Sequence, residues 1–191
     1  MRRRIFIAVN LPEDIKKSLW NYRLKWPELP SAWTKRENLH ITLVFAGYVL
    51  DQDLIDIFRI ANDVASQRQP CLINLKKICY GPPKKIPPRM VWAVGEKNEE
   101  LGKMQNALEN SLVGANASLE EKNRPYAPHI TLGRIKTWEW RRIEPEERPE
   151  IEEEINLSFE ANSIEVMESR LKRGGPEYTV LESYGLGSVA Q

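Results

Sequence analysis

Long hydrophobic runs are missing from this chain. Its apolar stretches, "IFIAV", "ITLVFAG" and "MVWAVG", are far shorter than the roughly 20 residues that cross a bilayer, which excludes a helical membrane span. The basic start "MRRRIFIAVNLPED" runs on into Pro-Glu-Asp and not into a small-residue cleavage site, so it reads as a first strand and not as a secretory signal. Cysteine is scarce as well. Cys71 and Cys79 are the only two, and a strand carrying both would hold them about 26 Å apart. That excludes a disulfide between them in that form and makes a reducing, cytoplasmic compartment the expectation. No His-x-x-x-His or Cys-x-x-Cys occurs, so the spacing offers no metal site and no cofactor is expected. Histidine itself appears twice, as His40 and His129, in 191 residues.

Charge of one sign is also lacking overall, the formal net charge being +1. The two halves differ, however. Residues 1–95 hold 16 Lys+Arg against 8 Asp+Glu, and residues 96–191 hold 12 against 19. The acidic excess is concentrated in "IEPEERPEIEEE", Ile143 to Glu154, which reads as a solvated loop and strand edge. The basic first half suits a polyanionic partner.

Strand patterns rich in Ile, Val, Phe, Tyr and Thr lie at 3–11, 39–47, 72–80, 89–95, 129–135, 151–159, 163–171 and 178–186. Helical patterns lie at 12–25, opened by Pro12-Glu13-Asp14, at 51–67 with Asp51 as cap, and at 98–113 with Asn98 as cap, Leu101, Met104, Leu108 and Leu112 as stripe and Gly114 as stop. The chain thus reads as two similar halves, each with a helix leading to a His-Ile-Thr-Leu strand. The Pro-rich "YGPPKKIPPR", Tyr80 to Arg89, is expected to bridge two lobes, and "LKRGGPEY" to turn a hairpin on Gly174 and Gly175.

Both histidines open the same tetrapeptide, in "ENLHITLVFAG" and "YAPHITLGR". Alternation on a strand puts His40 and Thr42 on one face and Ile41, Leu43 and Phe45 on the other, with an imidazole and a hydroxyl about 7 Å apart on the first. His129 and Thr131 repeat the pair over Ile130 and Leu132. If the halves are related by an approximate two-fold, the two pairs face each other across a cleft. Two imidazoles with ordinary pKa values of about 6.5 can serve one as acid and one as base near neutrality. The threonine hydroxyls can then donate to non-bridging phosphate oxygens.

The doubled "HITL", with "RIFIAVNLPED", "PPRMVWAVG" and "SIEVMESRLKRGGPEYTVLESYGL", resembles the paired His-x-Thr-x motifs of the 2H phosphoesterase superfamily and its RNA 2′,3′-cyclic phosphodiesterase branch, the 2′-5′ RNA ligase-like proteins. The resemblance implies an α+β fold: a bilobal, pseudo-two-fold duplication with two antiparallel sheets lining a central cleft and helices packed outside, residues 1–191 forming a single domain of two intertwined lobes. It implies metal-independent hydrolysis of RNA 2′,3′-cyclic phosphate ends to 2′-phosphomonoesters, with His40 as proton donor and His129 as proton acceptor. Thr42, Thr131 and Arg134 would hold the phosphate. Strict alternation would put Arg134 on the wrong face unless Gly133 supplies a bulge. Tyr126, where the family more often has phenylalanine, is a candidate for stacking on a base or for packing in the core. The implied partner is RNA with a 2′,3′-cyclic phosphate end, tRNA fragments among the candidates; no membrane is involved, and a monomer is the expectation. Two alternatives stay open: the same chemistry reversed, as a 2′-5′ RNA ligase, and an RNA-end binding module without turnover. Histidine in both motifs argues against the second, since arginine or lysine better holds a permanent anion.

Overall fold

The computed structural model describes residues 2–114 and 126–187. Strand β1 (Arg2–Asn10) is apolar from Ile5 to Val9 without alternation, and all five residues are buried. Both of its faces are covered: Ile5, Ile7 and Val9 join the main core, while Phe6 and Ala8 form a second cluster with Met167. Helix α1 (Glu13–Asn21) starts after Pro12 with Glu13 and Asp14 in its first turn, where the helix dipole favours acids. It gives way to a 3-10 turn over Tyr22–Lys25, so the regular helix is shorter than the sequence pattern. Trp26, non-helical at φ −129°, precedes Pro27, which disfavours the helical region.

Next come β2 (Ser31–Trp33), β3 (His40–Leu50), α2 (Leu54–Ser66), β4 (Cys71–Gly81), β5 (Met90–Gly95), α3 (Glu99–Gly114), β6 (His129–Ile135), α4 (Thr137–Trp140), β7 (Glu152–Ala161), β8 (Ser163–Lys172) and β9 (Gly175–Gly185). Asn98 caps α3 as expected, its Oδ1 accepting from the Leu101 amide at 2.9 Å, and Leu101, Met104, Leu108 and Leu112 are fully buried. Asp51 does not cap α2. It lies in a 3-10 turn ahead of the helix, and its carboxylate accepts from Arg3 Nε at 2.7 Å.

Hydrogen bonds run through one antiparallel sheet in the order β7-β4-β5-β6-β3-β1-β8-β9, with β2 added on β6. Where the sequence suggested two sheets, the ladder is continuous, but its middle is narrow: β3 and β6 meet at the single pair Ile41–Ile130. Two wings diverge from that pair. The first holds β3, β1, β8 and β9, and the second β6, β5, β4 and β7. The sheet is strongly curled. Residues from α1, α2 and α3 pack with Ile5, Ile7, Ile41, Leu43, Ile130 and Leu132 in one core that spans both wings. The opposite face carries His40 and His129.

The Pro-rich stretch after Tyr80 is a correction to the sequence reading. It joins β4 to β5, which pair with each other in the same wing, and so does not connect the halves; α2 makes that crossing. Of the two hairpin glycines only Gly175 has positive φ, at 102°. Cys71 and Cys79 share β4 and are free thiols. On the acidic β7, Glu152 pairs with Lys77 and Glu153 with Lys25. Among the described residues no helix is long and apolar enough to cross a membrane.

Candidate active site

The first seven residues of β3 and all seven of β6 have the same exposure pattern. His40 and Thr42 are half-buried on the concave face, and Ile41 and Leu43 lie in the core; His129, Thr131, Ile130 and Leu132 do the same. After that, strict alternation breaks in both strands at the same point. Against β1, Ile7 pairs with Val44 and Ala8 with Thr42, so Leu43 is an extra residue. Against β5, Val91 pairs with Gly133 and Trp92 with Thr131, so Leu132 is the extra one. A bulge of this kind flips the side of every later residue.

Two sequence expectations change as a result. Phe45 was assigned to the core face but is 41% exposed, on the face of His40 and Thr42. Its ring centroid lies 5.9 Å from that of Phe6. Arg134 occupies the matching position in β6 and is exposed while Ile135 is buried, so the guanidinium lies on the side of His129 and Thr131. Gly133 has a separate task. A Cβ there would come within 2.4 Å of Ser31 Oγ and 3.0 Å of the Trp33 ring, so its absence lets β2 close on β6. Trp33 itself packs against the main core.

Each imidazole is held in the same way. His40 Nδ1 lies 2.7 Å from the Asn38 carbonyl and His129 Nδ1 lies 2.8 Å from the Ala127 carbonyl. A carbonyl only accepts, so Nδ1 carries the hydrogen and Nε2 is the atom that can exchange a proton. His40 Nε2 is 3.0 Å from Thr42 Oγ1. Asn38 also donates through Nδ2 to the Pro176 carbonyl at 2.8 Å, fastening the β8–β9 hairpin beside His40.

The surroundings of the two rings differ. His40 meets Phe6 at 5.0 Å and the edge of Tyr178 at 5.2 Å. Burial is the main cause that lowers its pKa below the ordinary 6.5; the Asn38 carbonyl opposes this, and the charges of His129 and Lys16 add to it. His129 instead stacks on Trp92, with centroids 3.8 Å apart and planes at 25°. Burial raises the Tyr178 phenol, and the nearby charges of Arg134 and Arg4 draw it back. Tyr178 therefore touches the His40 ring and feels the charge of Arg134, and the sequence reading missed it. Its ring contacts were hidden because it is 138 residues from His40. Tyr126, the candidate for base stacking or packing, is partly buried. Its ring packs on the main core and its hydroxyl donates to the Thr42 carbonyl at 3.1 Å, tying the approach to β6 onto β3. Among the described residues no three His, Cys, Asp or Glu side chains gather as a metal site would require.

Known proteins match this chain along nearly its whole length. An RNA 2′,3′-cyclic phosphodiesterase of Methanothermobacter thermautotrophicus is 31% identical over 196 residues, covering 97% of this chain and 100% of the relative. One of Thermotoga maritima with the same name is 30% identical, covering 93% of this chain and 92% of the relative. The crystal structure of TT0787 of Thermus thermophilus superposes with a TM-score of 0.83 at 26% identity, covering 96% of this chain and 98% of that one. The family model for the 2′-5′ RNA ligase superfamily matches residues 12–173. With twin His-x-Thr strands on one curled sheet and that match over most of its length, the chain is a member of the 2′-5′ RNA ligase superfamily of 2H phosphoesterases.

Proposed function

We propose that the concave face opens 2′,3′-cyclic phosphate ends of RNA by paired-histidine acid–base catalysis. The observation that carries this reading is the repeated placement of an imidazole whose Nδ1 is held by a carbonyl, which makes Nε2 the proton-exchanging atom, with a threonine two residues on along the same face. The activity is that of an RNA 2′,3′-cyclic phosphodiesterase, the name its relatives bear.

In this reading neutral His129 takes a proton from water through Nε2 as the water attacks phosphorus. Protonated His40 delivers the Nε2 proton to the departing 3′ oxygen, leaving a 2′-phosphomonoester. Thr42 and Thr131 donate to the non-bridging oxygens, and Arg134 balances the charge that builds on them. Phe45, beside Phe6 at the position equivalent to Arg134, offers an exposed aromatic surface to the terminal base, the role first assigned to Tyr126. The low pKa of His40 fits a proton donor. A bound phosphate anion favours its charged form, and burial makes the proton easy to release.

The two wings support a duplicated, pseudo-two-fold domain of two lobes: β1-α1-β3 in one corresponds to β5-α3-β6 in the other. A monomer in the cytoplasm acting on RNA ends such as tRNA fragments completes the proposal. Product analysis on a 2′,3′-cyclic-ended oligoribonucleotide with EDTA present tests it. A 2′-phosphomonoester is expected; binding without turnover, or joining to a 5′-hydroxyl strand in place of hydrolysis, would replace it.

A further inference from the structure

The bulged strands present two equivalent histidines, yet the neighbouring strand gives them different partners. Thr42 pairs with Ala8 of β1, whereas Thr131 pairs with Trp92 of β5. The register makes Ala8 and Trp92 equivalent positions. Only the second supplies a ring, and that ring lies against His129 at 3.8 Å. Two further features hold the indole there. Its Nε1 donates to Met90 Sδ at 3.3 Å, and Gly81 on β4 leaves it room. A Cβ at Gly81 would come within 2.1 Å of Trp92 Cδ2 and 2.6 Å of Cε2, inside the ring's own contact surface.

We infer that Trp92 is the positioning residue that makes His129 the base of the pair, fixing the plane of its imidazole and stabilising the imidazolium formed when Nε2 takes the water proton. The face of an indole carries negative electrostatic potential and attracts a cation lying on it. A neutral imidazole gains less from the same contact, so the stack strengthens as the proton moves. His40 has Ala8 at the equivalent position of β1; its ring neighbours are Phe6, tilted by 36° with centroids 5.0 Å apart, and the edge of Tyr178 at 5.2 Å, neither stacked on it as closely as Trp92 is on His129. The assignment of acid and base thus follows from one cross-strand neighbour. The inference rests on the proposed hydrolysis and deepens it. Among the described groups His40 from β3 is electrostatically coupled to His129, and Arg134 lies on the same face further along β6; Val94 and Trp92 of β5 and Gly81 of β4 do not titrate.

The chain's two histidines make the test direct, because their C2 protons give two signals in an NMR pH titration. In Trp92→Leu the His129 midpoint is expected to fall while that of His40 moves much less. On a 2′,3′-cyclic-ended oligoribonucleotide kcat should fall about 3- to 30-fold, the worth of a cation on an aromatic face. KM should stay within about twofold. Trp92→Phe, which keeps an aromatic face, should recover most of both. Gly81→Ala, whose methyl displaces the indole with the core intact, should repeat the Trp92→Leu shift and serves if that variant unfolds. A His129 midpoint and kcat unchanged in Trp92→Leu and in Gly81→Ala would overturn the inference. Wild-type protein that fails to hydrolyse the substrate would remove the proposed activity but leave the titration comparison standing.

Discussion

The two wings agree in backbone and disagree in lining. His40 and His129 share a strand position, a carbonyl for Nδ1, a threonine and a bulge at the following leucine. Beyond those, the first wing is aromatic and enclosed, with Phe6, Phe45 and Tyr178 around a histidine whose pKa is lowered by burial. The second sets Trp92 under its histidine and Arg134 further along the same face. A symmetric frame can supply two proton-transfer groups, but the reaction needs one to give and one to take. In the proposed reaction the difference in lining is what would assign those roles.

Removing the shared parts should have the largest effect. His40→Ala and His129→Ala should each lower kcat by at least ~10²-fold, as loss of a positioned acid or base does; single-turnover assays with EDTA present will show it. The next step is to exchange the parts that differ. Arg134→Ala should lower kcat by roughly 10²-fold with little change in KM, since its charge acts on the transition state. Phe45→Ala should instead raise KM roughly tenfold, as loss of a stacking surface does. If both variants altered the same constant, the functional contrast between the wings would be wrong.

The pH profile probes the same contrast more finely. His40 must carry a proton to act as acid, and its folded pKa lies below 6.5. The competent fraction of free enzyme therefore falls as pH rises through that value, and kcat/KM should decline from below pH 6.5 upward. The limb in kcat should sit at higher pH, because the bound anion favours imidazolium. His40→Ala should abolish the limb. The smallest effect is structural. Tyr126→Phe loses the bond to the Thr42 carbonyl and should cost about 1 kcal/mol in urea unfolding with kcat unchanged.

Much of this was legible in the residues. Composition rich in Ile, Val, Phe, Tyr and Thr, with alternation in most segments, located eight strands, the Asn98 cap and its apolar stripe located α3, and the doubled tetrapeptide located both imidazoles and both hydroxyls. What stayed hidden has a common cause, since it depends on pairing across strands. Alternation within β3 sent Phe45 to the core, and only its register against β1 reveals the extra residue at Leu43. Arg134 was ambiguous for the same reason. Trp92 and Tyr178 reach the histidines through neighbours far away in sequence, and β2 and α4 are too short, at 3 and 4 residues, to show a period. The Pro-rich segment was misplaced because turn-forming residues mark a reversal without saying which strands it joins.

The twin bulges also carry a lesson about sequence grammar. A regular strand repeats its message every second residue, so a site built on one would read at intervals of two and then two. Here the third word arrives late, at an interval of three, giving His-x-Thr-x-x-Phe in one wing and His-x-Thr-x-x-Arg in the other. Straightening the bulge at Leu132 with the sequence unchanged would send the arginine into the core, whereas deleting Leu132 would restore even spacing and keep it on the face of His129. Uneven spacing of this kind, found twice in one chain, is therefore a signature that can be sought in sequences alone, where a search for strict alternation would discard the last member of each triplet.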